Sequence, residues 1–206
     1  MESKQLDMIE ISSMKYIICA VIGAVIGILL NKISKSIVDL EEDKISEYGI
    51  PRWSVVIVMV LFTVAIIFKF DSYEYESIKY LFLGYLLFMV GIIDYYTHYV
   101  YLKTVILGGI IVILSVVCLN EQLYISSAIA IGIYLYVVAF LSGKWYGDVQ
   151  IIMLITLVIG YPGLLPVILV AGVLGMVILI FKKGKLKEIA FCPMLLIGYL
   201  VFLIIC

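Results

Sequence analysis

Long apolar runs separated by short polar clusters recur along the whole 206-residue chain. An α-helix rises 1.5 Å per residue, so roughly 20 apolar residues are needed to cross about 30 Å of hydrocarbon. By length and hydropathy the runs predict spans at about 16–31, 53–68, 80–95, 104–119, 123–142, 147–160, 163–181 and 189–206. The interval 149–181 is too long for one span, at roughly 50 Å as a straight helix. Tyr161-Pro162-Gly163, with Pro166 close behind, supplies a turn that divides it into a hairpin. The last span is short and opens on Phe191-Cys192-Pro193. The predicted fold class is all-α: a polytopic membrane protein with a bundle of about eight transmembrane helices in one domain, 1–206.

Composition agrees with that class. Hydrophobic residues make up 65% of the chain and charged ones 14%, outside the range of an ordinary soluble domain. A net charge of -1 gives no reason to expect nucleic acid as a partner, whereas the lipid bilayer is an expected one. The first residues are mixed and charged, so no cleavable signal peptide is expected before the first span. Cys19, Cys118, Cys192 and Cys206 fall inside or at the ends of apolar runs without paired spacing. They read as packing or lipid-facing residues rather than disulfides or metal ligands.

Lysine and arginine fall unequally on the two sets of loops. Lys32, Lys35, Lys44, Arg52, Lys103, Lys144, Lys182, Lys183, Lys185 and Lys187 fall in one set, and Lys4, Lys15, Lys69 and Lys79 in the other. Ten against four predicts that the first set is cytoplasmic and that both termini lie outside. Two aspartates then stand out. Asp94 ends the run YLFLGYLLFMVGII, and Asp148 follows SGKWYG at the start of another. A carboxylate at the edge of hydrocarbon is costly, and this topology places both at one membrane face.

Two such acids are the chemical core of an aspartic peptidase. One carboxylate takes a proton from water while the other, protonated, donates a hydrogen bond to the scissile carbonyl. Like charges a few ångströms apart in low dielectric cannot both persist, so the pair titrates as a unit. Asp94 and Asp148 are the candidate catalytic residues, with Gly147, Lys144 and His98 as candidate near-site residues. Gly147 would let a substrate backbone approach closely. No serine or cysteine nucleophile with a histidine base is evident, and the single histidine builds no metal cluster. Neither a metal nor a cofactor is expected.

These residues resemble a family. GIIDYYTHYVY is similar to the first aspartate motif of the type IV prepilin peptidases, and WYGDVQIIMLI to their second, the GxGD motif. GAVIGILLNKISKS is similar to the family's first helix, and FCPMLLIGYLV to its closing FGPxL-type helix. The order holds over nearly the whole chain. Trp145 stands at the first motif glycine, Gln150 at the lysine two places after the aspartate, and Val100-Tyr101-Leu102 at an Ile-Pro-Asn-like segment. Larger members carry an N-methyltransferase insert with four cysteines between the first two spans. Here that interval is a loop at 32–52 without cysteine, between the first span and a helical core at 53–206 that the resemblance implies to be catalytic.

The resemblance implies a peptidase of a prokaryotic cytoplasmic membrane without the methylating half. It would cut the short leader from type IV pilin-like precursors at the cytoplasmic face. Alternatives are another GxGD intramembrane protease, or a proton-coupled transporter with paired carboxylates. Presenilin-type relatives set their first aspartate after tyrosine, whereas Ile93 precedes Asp94. Transport would place acids near mid-bilayer on broken helices. Plainer roles exist for the other features. Gly23 and Gly27 suit helix packing, Lys144 a positive-inside anchor, His98 an exposed loop, and Asp39, Glu41, Glu42 and Asp43 a solvated acidic cluster.

Overall fold

The computed structural model describes residues 2–40, 48–70, 74–142, 147–181 and 190–205, apart from the side chains of 2–13, 74–76 and 142. Among these, the chain is all-helical. Its seven helices are α1 (Glu2–Leu40), α2 (Arg52–Lys69), α3 (Glu74–Thr97), α4 (Leu102–Cys118), α5 (Ile125–Ser142), α6 (Asp148–Phe181) and α7 (Cys192–Ile205). Four contain segments long and apolar enough to cross a membrane: Met14–Leu40, Arg52–Lys69, Ser77–Thr97 and Asp148–Phe181. Such helices mark a membrane-embedded protein. The expected count of about eight is not reached by this measure. The helices α4 and α7, and the described apolar stretch of α5, are shorter, and the runs 147–160 and 163–181 belong to the single element α6.

The helix α6 is interrupted at Gly160, one residue before the expected turn. Its φ of 73° and ψ of 174° lie in a region essentially reserved for glycine, which is why the break falls here and not on the following Tyr-Pro-Gly. Pro162 then sits near the start of a new helical stretch, where its missing N–H costs little. The break leaves the Leu157 carbonyl without its intrahelical partner, and Tyr124 N–H donates to it at 2.9 Å. The two halves run in opposite senses along α7. Asp148 lies beside Cys192, a Cβ on Gly163 would meet Phe202, and one on Gly175 would meet Met194. The hairpin geometry is thus present within one helical element.

The helix α1 runs on to Leu40, well past the expected loop start at 32. Its buried face is Gly23, Gly27, Asn31, Ser34 and Val38, spaced three or four residues apart. Hydropathy stops at Asn31 because it registers polarity rather than which face a residue occupies. Gly23 and Gly27 pack closely on α2: a Cβ at Gly23 would fall 2.9 Å from Val60 Cα, and one at Gly27 2.9 Å from Val56 Cα.

The helix α3 is central and touches α1, α2, α4, α6 and α7. Two tyrosines on or against it find their hydrogen-bond partners inside the bundle, as an apolar surrounding demands. Thr63 Oγ1 and Tyr85 OH share a hydrogen bond of 2.7 Å, and the buried Tyr199 O–H donates to Tyr80 O at 2.7 Å. At one end of the bundle, Lys79 pairs with Glu121 at 2.7 Å and Lys69 caps α7 through the carbonyls of Leu203 and Ile204. The opposite end holds the close of α3 and the start of α7. The cluster residues Glu41, Glu42 and Asp43 and the basic stretch 182–188 lie outside the described residues.

Replacing Gly160 by alanine is expected to destabilise the fold by about 1–3 kcal/mol, because the backbone must leave an all but glycine-only conformation. The added Cβ would also press on the Tyr124 ring, 3.1 Å away. Thermal unfolding in detergent checks this; an unchanged midpoint would show that the interruption is not fixed at Gly160.

Candidate functional site

The last turn of α3 and the first residues of α6 and α7 meet at one end of the bundle. On α3, Leu83, Leu87, Val90 and Ile93 are buried, and this packing carries the helix inward as far as Asp94. Asp94 is itself only 4% exposed. On α6, Val149, Ile151, Ile152, Leu154 and Ile155 are buried, so Asp148 begins a helix packed from its first turn.

Asp94 of the third helix and Asp148 of the sixth come together with Cys192 of α7. One ligand atom from each of the three lies within 4.8 Å of the other two. Cys192 N–H donates to Asp94 Oδ2 at 2.9 Å, and the Cys192 thiol donates to Asp148 Oδ1 at 3.3 Å. Two full charges about 5 Å apart repel by roughly 3 kcal/mol at an effective dielectric of about 20. A single proton shared between the carboxyls relieves that repulsion. The pair therefore has the arrangement that lets one group accept a proton while the other donates one.

Asp94 also serves the fold. The first amides of α7 need acceptors, and Pro193 has none to offer as a donor. Met194 and Leu195 N–H both turn back to Phe191 O, at 3.0 and 3.1 Å. The remaining Cys192 N–H takes Asp94, whose negative end also suits the positive N-terminus of a helix.

The other expected residues are placed differently. Gly147 precedes Asp148, but the close neighbour it admits is Val100 of the α3–α4 connection, 2.8 Å from where a Cβ would stand. His98 is half-buried rather than an exposed loop residue; it ends α3 with φ 51° and donates its backbone N–H to Asp94 O at 2.8 Å. That left-handed conformation closes a helix end. Among the described residues, no hydrogen bond joins the His98 ring to either carboxylate. Lys144 and Trp145 lie outside the described residues. Gln150 Oε1 is buried without a hydrogen-bond partner among them.

Cys192 corrects the sequence expectation that all four cysteines pack or face lipid. Its thiol is buried yet directed at a carboxylate. The signal available was its place in FCPML, the opening of the closing helix; its apolar character hid it. Beside the site, the segment 48–51 docks on α3. Gly49 N–H donates to Tyr96 OH at 3.3 Å, and Tyr48 O–H donates to Asn31 Oδ1 at 2.7 Å. Burial, then the neighbouring Tyr96, pushes the Tyr48 phenol up to about 12.

Comparison of the chain with known protein families, curated proteins and solved structures finds no match.

Asp94→Asn keeps a carbonyl oxygen for the Cys192 amide, whereas Asp94→Ala leaves that amide without an acceptor. The alanine variant is expected to be about 1–3 kcal/mol less stable than the asparagine one. Unfolding of the two variants side by side in the same detergent measures the difference; equal stabilities would exclude the capping role.

Proposed function

We propose that this chain is a membrane-embedded aspartic endopeptidase, with Asp94 and Asp148 as its catalytic pair, that removes the leader of type IV prepilin-like precursors. One observation carries the proposal: two carboxylates distant in sequence and set at helix ends, Asp94 buried and Asp148 half-buried, converge within 4.8 Å. The ionised member takes a proton from a water held between them as that water attacks the scissile carbonyl. The protonated member donates to the carbonyl oxygen, and a proton then passes to the leaving amine. The motif resemblance supplies the substrate class, and the missing cysteine-bearing insert leaves out a methylating activity.

The proposed setting is the cytoplasmic membrane of a prokaryote. Here α1 to α5, the two halves of α6, and α7 make eight passes, and the pair opens on the cytoplasm. The short α4 and α7 fit this setting if the bilayer thins beside them or if they tilt little. The basic residues support the sidedness. Lys69 and Lys79 lie at the end away from the carboxylates, whereas Arg52 opens α2 directly after the segment docked beside Tyr96. A transporter with a paired-carboxylate site would set its acids at the broken helix. The break at Gly160 is instead twelve residues along α6 from Asp148, or about 18 Å.

Asp94→Asn and Asp148→Asn are each expected to abolish leader cleavage, a loss of at least about a thousandfold, while the protein still inserts and folds. Alanine at His98 or Lys144 costs far less, since neither activates water. The assay is the gel shift of a coexpressed prepilin whose leader ends in glycine. Full processing by the Asp148→Asn variant would remove the pair from catalysis and bring the transporter forward.

For sidedness, a single cysteine at Lys35 in a background lacking the native cysteines should resist a membrane-impermeant thiol reagent in intact cells and react after lysis. Labelling in intact cells would invert the proposed topology.

A further inference from the structure

One residue touches both carboxylates. The amide of Cys192 reaches Asp94 from the N-terminus of α7, and its thiol reaches Asp148 from the same Cα. The residue is wholly buried, and its backbone is set by the first turn of α7 closing on Phe191 and by Pro193 immediately after it. A buried cysteine that only fills space behaves as a small hydrophobe and has no need to direct its S–H at an acceptor. The two bonds also differ in kind. The amide is rigid and cannot turn away, whereas the thiol is a weak donor that rotates about χ1.

We propose that Cys192 is a positioning residue for the carboxylate pair. Its amide pins Asp94, and its thiol holds Asp148 beside it at the separation the shared proton and the attacking water require. This rests on the peptidase function proposed above. The sulfur makes and breaks no bond in the reaction; it acts by holding the carboxylates, Asp148 directly at 3.3 Å with Asp94 close beside it. The amide contact belongs to the backbone and survives any side-chain replacement except proline. The thiol contact is what a substitution removes.

The test compares Cys192→Ser and Cys192→Ala by thermal unfolding in detergent and by kcat and KM for the prepilin with a glycine-ended leader. Serine keeps a donor, with a shorter reach that the Asp148 side chain can follow; alanine keeps none. Positioning predicts that alanine lowers kcat on the order of 10- to 100-fold with KM little changed, and that serine recovers most of the loss. It also predicts that serine melts above alanine, and that this advantage shrinks in an Asp148→Ala background, where only Asp94 is left to accept. Simple packing predicts the reverse order, because serine would bury a hydroxyl with no purpose there. Alanine melting at or above serine, or alanine cleaving at the unaltered rate, overturns the proposal. Failure of the unaltered chain to cleave the precursor would instead count against the peptidase function, and the melting order would still decide whether the thiol holds Asp148.

Discussion

The bond from the Cys192 amide to Asp94 is the contact on which the arrangement turns. A helix that begins inside an apolar bundle has amides with no water to take them, and each one left bare is costly. Proline at the second position of α7 removes one such donor, Phe191 O accepts two, and Asp94 accepts the last. The carboxylate is therefore held at a fixed place by backbone geometry. Any helix that brings a second carboxylate to the start of α7 meets Asp94 there.

The hairpin in α6 is what delivers that second group. Asp148 must begin a helix at the same end of the bundle as the end of α3, and the chain must then return to that end before α7 can start. A straight 34-residue helix would carry the chain roughly 51 Å away instead. The break at Gly160 reverses it, with Tyr124 taking the carbonyl that the break exposes. A conformation fixed at one glycine thus decides where a carboxylate twelve residues away can be, because the rigid helix between them transmits the constraint.

Much was legible in the sequence because membrane insertion imposes a simple rule. Backbone groups in hydrocarbon must satisfy one another, so apolar runs become helices and their ends show as polar clusters. That rule gives the all-helical class, the positions of α2 to α5, and two acids at helix ends where burial of charge needs a reason. Charge bias separates Lys69 and Lys79 from Lys32, Lys35, Arg52 and Lys103 by the same logic. The GxxxG of Gly23 and Gly27 reads directly as a place where a backbone must come close, and α2 is what comes.

The tertiary structure decided what depends on faces and distances. Hydropathy averages over a helix's circumference, so it ended the first helix at Asn31, although Asn31 and Ser34 lie on the buried face and the helix continues to Leu40. Turn chemistry pointed to Tyr161-Pro162-Gly163, while the break took the neighbouring Gly160, the residue whose φ of 73° an L side chain resists. Gly147 promised room for a ligand, and Val100 fills it. Cys192 counted as one more apolar residue until its thiol was found on Asp148. The sequence by itself determined that two carboxylates would stand at helix ends, since composition and period are local properties. That they stand within 4.8 Å of each other, with Cys192 between α3 and α6, only the folded chain could decide, because that distance is set by packing among helices far apart in sequence.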